Sequence, residues 1–287
     1  MNRIDLHLHS TYSDGSYSPT DVVELAHQAQ VSTLCLTDHD TTDGIAEASQ
    51  AASSYGIEVI PGVEVSSLYR DKETHILGYF VNHEDAQFQQ HLTWLRNSRH
   101  ERIPRIIDKL HHVGVDISYE DVKAAAGHGS IGRPHVAQVL VQQRYVPTIE
   151  QAFSRFLKEG STAYVARQLP DAKEAIRWIR ESGGVASLAH PGWVRQSLSE
   201  LEIACRELQT CGLQGLEVFY SSHTSRQTSE YLGLAHRLNL TATGGSDFHG
   251  STRPDIVIGV GRGNLNIPEK IVEPLRQCAK ENRKTVQ

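Results

Sequence analysis

Short apolar runs of strand length recur along this chain, amphipathic helical stretches lie between them, and run after run ends on a histidine or a carboxylate. Strand alternating with helix implies a parallel sheet covered by helices. The first run shows the device most clearly. In Ile4-Asp5-Leu6-His7-Leu8-His9-Ser10, apolar and polar residues alternate strictly. Period two marks a strand with two unlike faces, so His7 and His9 point the same way, close enough to chelate one ion. A turn-rich loop, Thr11 to Ser16, follows with a carboxylate at Asp14. The run Ser32 to Thr37 delivers Asp38 and His39, and Ile57 to Ser66 carries Glu64 near its end. His75 lies in Glu73 to Phe80, His190 closes the run from Gly183, and Asp247 and His249 follow Leu240 to Gly245. A structural role would not gather ionisable groups at one edge of a sheet, whereas the strand ends of a β/α barrel are where its chemistry sits.

The helices are legible from their apolar spacing. Pro19-Thr20-Asp21 opens one whose apolar face is Val22, Val23, Leu25, Ala26 and Ala29. Others are expected over Asp171 to Ser182, Leu198 to Gln209, Ser225 to Leu238 and Pro268 to Ala279. From about Gln87 the rhythm breaks. Residues 88–112 read as one long helix with Arg96, Arg99, Arg102 and Arg105 every three residues. A helix start at Ser118, a glycine-rich loop from Gly127 to His135, a helix from Val136 to Gln143 and a short one from Thr148 to Phe156 follow. Residues 98–163 therefore read as an all-helical insertion, dividing the β/α part into 1–97 and 164–287.

The bulk numbers narrow the function classes. At 287 residues, 39% hydrophobic and 22% charged, the chain can bury a substantial core. A net charge of −6 offers no basic excess for duplex DNA. The four cysteines show no C-x-x-C pairing, so neither a disulfide frame nor a thiolate zinc site is expected. No leader segment and no membrane-spanning run is read, which makes a reduced, cytoplasmic setting the expectation. The unusual figure is 16 histidines, which asks for a metal site or a pH role.

The candidate ligands are His7, His9, Asp14, His39, Glu64, His75, His190, Asp247 and His249. One ion takes four to six donors, so this set serves two or three ions with a bridging carboxylate. Imidazole with carboxylate and no thiolate suits Mn²⁺, Fe²⁺ or Zn²⁺. Three divalent ions would bring about +6, against about −3 from Asp14, Glu64 and Asp247, leaving a local excess that draws in phosphate and acidifies water. Hydrolysis of a phosphate ester by metal-bound water, with no protein nucleophile, is the natural reaction. Asp38 is expected to orient a ligand rather than to be one. The arginine row reads mainly as a solvated helix face. His27, His83, His91, His100, His111, His112, His128 and His236 are expected to face solvent. Tyr220 is expected to stack on a base or line the pocket.

Four motifs in order, His7-Leu8-His9, Thr37-Asp38-His39, His190-Pro191 and Ser246-Asp247-Phe248-His249, resemble those of the PHP (polymerase and histidinol phosphatase) family of metal-dependent phosphoesterases. The resemblance covers the chain apart from the insertion. It implies an α/β fold, a distorted (β/α)7 TIM-like barrel, and a trinuclear centre, most simply of three Mn²⁺, with Fe²⁺, Zn²⁺ or Mg²⁺ as alternatives. His7, His9, Glu64 and Asp247 would hold one ion, Glu64, His75 and His190 the second, and Asp14, His39 and His249 the third. The stretch Ile131-Gly132-Arg133-Pro134-His135 resembles a narrower subgroup that acts on 3′,5′-nucleotide bisphosphates and on short RNA from its 5′ end, with a helical insertion capping the barrel. It implies hydrolysis of pAp to AMP, release of 5′ mononucleotides, or both. Substrate contacts are then expected from Arg99, Arg102, Arg133, His135 and His223. The alternatives are a phosphatase of another small ester, of the histidinol phosphate type, and a non-catalytic metal-binding accessory module.

Overall fold

The computed structural model describes residues 3–127, 131–193 and 197–286. Seven strands form one sheet in chain order: β1 (Arg3–Leu8), β2 (Val31–Leu36), β3 (Glu58–Tyr69), β4 (Lys72–Tyr79), β5 (Val185–Leu188), β6 (Gly215–Tyr220) and β7 (Thr241–Gly245). The sheet nearly closes on itself. Beyond the end of β7, Asp247 N donates to His7 O at 2.9 Å and His9 N donates to Phe248 O at 3.0 Å. Asp5 fastens the same seam from the buried face of β1, accepting from Ser246 N at 2.8 Å and Gly259 N at 2.7 Å. Burial pushes its carboxyl up to about 6.

The strand–helix pattern predicts parallel pairing, and that holds for β1-β2-β3 and for β5-β6-β7. It fails at β4, which runs antiparallel to both β3 and β5. The reason is local. Only Arg70 and Asp71 separate β3 from β4, and both sit at positive φ, +50° and +62°. That is a two-residue hairpin turn, and a parallel crossover needs a dozen residues or more.

The helices are α1 (Pro19–Gln28), α2 (Ile45–Ser53), α3 (Ala86–His112), α4 (Tyr119–Ala126), α5 (Arg133–Gln142), α6 (Ile149–Ala152, continuing as a π-turn over Phe153–Leu157), α7 (Ala172–Glu181), α8 (Leu198–Gln209), α9 (Ser225–Arg237) and α10 (Val272–Val286). Side-chain capping boxes start four of them: Ser18 with Asp21, Ser118 with Asp121, Asp171 with Glu174, and Thr224 with Gln227. None of the helices is long and apolar enough to cross a membrane among the described residues.

Apolar packing divides at α3. Its first half, Phe88, Leu92 and Leu95, packs with Val63, Ile76, Ile176 and Leu188 on the outside of the sheet. Its second half, Ile103, Ile106 and Leu110, belongs to a separate cluster with Val122, Val136, Leu140 and Leu157. The helical segments between β4 and β5 thus have a core of their own, and α3 runs unbroken across position 98 to join it.

Candidate metal centre

Each predicted ligand lies in a strand or in the segment after one. His7 lies in β1, His75 in β4 and Glu64 in β3, while His9, His39, His190, Asp247 and His249 follow strand ends. The loop bearing Asp14 is held by Asp38, which accepts from Ser10 N at 2.7 Å, Ser10 Oγ at 2.6 Å and Ser13 Oγ at 2.6 Å. Asp38 therefore places Asp14 through this loop. Close approach of β7 to β1 requires Gly245, where a Cβ would fall 2.2 Å from the Cβ of His7. Asp247 and His190 both take positive φ, +58° and +23°, a strain of about 1–3 kcal/mol each of the kind found at functional sites.

The centre of the arrangement is the buried Glu64. Its Oε2 lies 3.1 Å from His7 Nε2, 3.1 Å from His9 Nε2 and 3.3 Å from His39 Nδ1. Its Oε1 lies 2.9 Å from His75 Nδ1 and 2.8 Å from His190 Nε2. Asp247 Oδ1 approaches His7, His9 and His249 at 3.5, 3.3 and 3.4 Å. Asp14 meets His249 Nε2 at 3.2 Å and both His9 and His39 at 3.8 Å. Three groups of donors come within reach of a shared ion: His7, His9, Glu64 and Asp247; His9, Asp14, His39 and His249; and His39, Glu64 and His75.

The electrostatics are those of a cage built to hold cations. Burial alone would raise the carboxyls of Glu64, Asp14 and Asp247, yet the facing cationic groups hold all three well below the carboxylate range. Burial opposes protonation of His9 and His75, and their carboxylate neighbours outweigh it, raising them to about 9 and about 10. Buried His9 Nε2 and His39 Nδ1 make no aligned hydrogen bond within the protein. Orphaned buried nitrogens facing carboxylates fit ligands that share a divalent metal ion.

Sequence reasoning expected Asp38 to orient a ligand and missed other supports. Glu217, fully buried in β6, accepts from His7 Nδ1 at 2.8 Å and from His190 N at 2.6 Å. That bond fixes the His7 tautomer with Nε2 turned to Glu64. The available signal was a carboxylate inside the apolar run Gly215 to Tyr220. Glu217→Gln is expected to weaken metal retention by roughly 10–100-fold, read by competition with a chelator. Tyr220 lines the cavity and its hydroxyl donates to Asp247 Oδ2 at 2.8 Å, while Arg253 pairs with the same oxygen. Asp40, also unforeseen, accepts from Arg99 Nε at 2.9 Å, Arg167 Nη2 at 2.8 Å and Ser66 N at 2.8 Å.

The arginine row departs from expectation. Arg96 donates to Asp40 O, Arg99 and Arg102 are buried, and Arg105 is exposed. The middle of the row faces the site and its two ends do not. Both Arg99 and Arg102 line a cavity of about 460 Å³ that opens onto Asp14, His39, Glu64, His190, Asp247 and His249. Arg99 is tied to Asp40 and Ser66. Arg102 is 6% exposed, and its Nε and Nη2 have no hydrogen-bond partner among the described residues. Burial, reinforced by Arg133, lowers it to about 10. Arg133 lines the same cavity and pairs with Glu73 at 2.8 Å. His135 does not reach it. Its Nδ1 accepts from Gly132 N at 3.0 Å, capping α5, and its ring borders a different cavity beside Thr11 and Ser16. His223 is also outside the lining: its Nδ1–H donates to Val218 O at 3.0 Å and its ring meets Tyr220 and Tyr231 edge-on. Among the other histidines, His91 stacks on Trp178 at 4.2 Å instead of facing solvent, and His128 lies outside the described residues.

Imidazoles and carboxylates converging at one edge of a barrel-like sheet, beneath a cavity rich in guanidinium groups, define a metal-dependent hydrolase of phosphate esters. The chain belongs to the PHP domain family, whose profile matches residues 5–185. It is 36% identical over 254 residues to a 5′-3′ exoribonuclease of Haemophilus influenzae, covering 86% of this chain and 90% of that one. It is 34% identical over 250 residues to a 3′,5′-nucleoside bisphosphate phosphatase of Chromobacterium violaceum, covering 87% and 88%. Among solved structures, a proposed metal-dependent phosphoesterase of Bifidobacterium adolescentis aligns over 96% of both chains with a TM-score of 0.86 and 28% identity.

Proposed function

We propose that this chain removes the 3′-phosphate of 3′,5′-nucleotide bisphosphates and releases 5′ mononucleotides from short RNA, at a centre of three divalent ions, most simply Mn²⁺. The observation that carries the reading is Arg102. This buried guanidinium lies over the Tyr164 ring at 5.3 Å, its Nε and Nη2 have no hydrogen-bond partner among the described residues, and beside Arg133 it faces the same cavity as the metal donors. Such a pair suits a second phosphate, held apart from the one being hydrolysed. The relatives' names point to the same chemistry.

Two of the three ion positions follow the donor groups found here, with His9 added to Asp14, His39 and His249. The remaining ion would take Glu64 and His75 with His190, whose Nε2 is 2.8 Å from Glu64. Ions bound there supply Lewis acidity and make water a nucleophile near neutral pH. The chain's own contribution is binding and orientation. Arg102, Arg133 and Lys158 meet the second phosphate, while Ile103, Pro134 and Phe153 give the cavity an apolar wall for a base. Among the described lining residues there is no serine or cysteine to serve as nucleophile. Residues 98–163 act in this reading as a helical cap on a distorted (β/α)7 barrel of 1–97 and 164–287, a division supported by the separate apolar cluster.

The test is incubation of Mn²⁺-loaded protein with pAp and with a 5′-phosphorylated RNA trinucleotide, with and without chelator. Chelator-sensitive release of phosphate from the first and mononucleotides from the second is expected. Metal-loaded protein that leaves both intact would overturn the assignment. Arg102 offers a second check. Arg102→Met should lower kcat/KM on pAp by roughly tenfold or more, and by less on an ester with a single phosphate.

A further inference from the structure

The cavity that gathers guanidinium groups also holds an acid. Glu73, at the start of β4, sets its Oε2 2.8 Å from Arg133 Nη2. Its Oε1 is 3.9 Å from His75 Nε2, beyond hydrogen-bond reach. Glu73 lines the cavity with Arg102 and Arg133 and its side chain is 28% exposed. A carboxylate in a phosphate pocket repels the ligand, so its presence asks for a reason. Arg133 opens α5 of the helical segment, while Glu73 belongs to the barrel sheet, so the pair bridges the two.

We infer that Glu73 is a specificity-determining residue, which occupies Arg133 until the terminal phosphate of a substrate displaces it. A phosphate dianion carries more charge and more acceptor oxygens than a carboxylate, and it matches the guanidinium fork. It therefore wins the exchange, and the released acid can turn to the cavity mouth. A substrate with one phosphate, engaged at the metal donors, leaves the Glu73–Arg133 pair closed. Glu73 thus lowers the gain from a second phosphate to a moderate value and keeps Arg133 from trapping stray anions. This rests on the reading that Arg133 receives the second phosphate.

The experiment compares pAp with p-nitrophenyl phosphate on the metal-loaded full chain, using Glu73→Gln, Arg133→Ala and the double variant. Glu73→Gln keeps the shape and removes the competing charge. The ratio of kcat/KM for pAp to that for p-nitrophenyl phosphate should rise roughly three- to tenfold, through KM, the worth of a partly exposed ion pair. On the Arg133→Ala background the same change should have no effect on that ratio. An unchanged or reduced ratio in Glu73→Gln would overturn the inference. So would loss of bound metal, which would show that Glu73 acts through His75. If Arg133→Ala alone depresses both esters equally, the second-phosphate reading itself fails and the inference falls with it.

Discussion

Glu64→Ala should abolish turnover, by at least ~10³-fold, a larger loss than the 10–100-fold typical of an outer-shell partner. One carboxylate meets five imidazoles, so its removal takes a donor from two of the three groups that can hold an ion. It also strips the anionic charge that balances them. Metal analysis on the purified variant should show fewer bound ions than wild type. Asp14→Ala separates the positions: it belongs to a single donor group, so one ion should be lost and the others kept. A Glu64→Ala protein with full metal content and activity within tenfold of wild type would refute the central role of this residue.

Asp40→Ala should destabilise the protein by about 3–5 kcal/mol, the cost of leaving a buried charge unpaired. Two guanidiniums, Arg99 and Arg167, depend on this fully buried carboxylate. Burial would raise the Asp40 carboxyl, and the two arginines outweigh it, holding it well below the carboxylate range. The sign follows: a depressed carboxyl contributes stability above its unfolded value near 4 and loses it as pH falls toward the folded one. Urea unfolding at neutral pH reads the effect directly. A change below about 1 kcal/mol would mean that solvent or a substitute partner reaches the arginines. Because Asp40 follows His39 and pairs with α3, Arg102 should also lose its register, and pAp hydrolysis should fall with stability.

The cluster of candidate ligands was legible because strand periodicity and metal chemistry are local. His7 lies near the end of β1 with His9 two residues on, and Asp247 and His249 follow β7, so sequence spacing turns them toward one edge. Glu217 and Asp40 were not legible as supports because their partners are distant in sequence. Glu217 is 210 residues from His7, and Arg167 is 127 from Asp40. Nothing within either run shows which strand closes against which. The antiparallel β4 was hidden for a local reason: the expected strands, Ile57 to Ser66 and Glu73 to Phe80, leave six residues between them where the structure leaves two. His135 and His223 misled for a different reason: a histidine beside a glycine-rich loop or a strand end resembles a ligand until its ring is seen bonded to backbone, Gly132 in one case and Val218 in the other.

The helix α3 has 27 residues, a rod of about 40 Å. Its early turns are embedded in the barrel flank through Phe88, Leu92 and Leu95, and Arg99 and Arg102 lie just beyond on the same rod. The span from the metal donors to Arg102 is thus set by a stiff element anchored at one end. On the proposed function it would work as a caliper for two phosphates, and a ligand with a shorter or longer bridge would meet one jaw and miss the other.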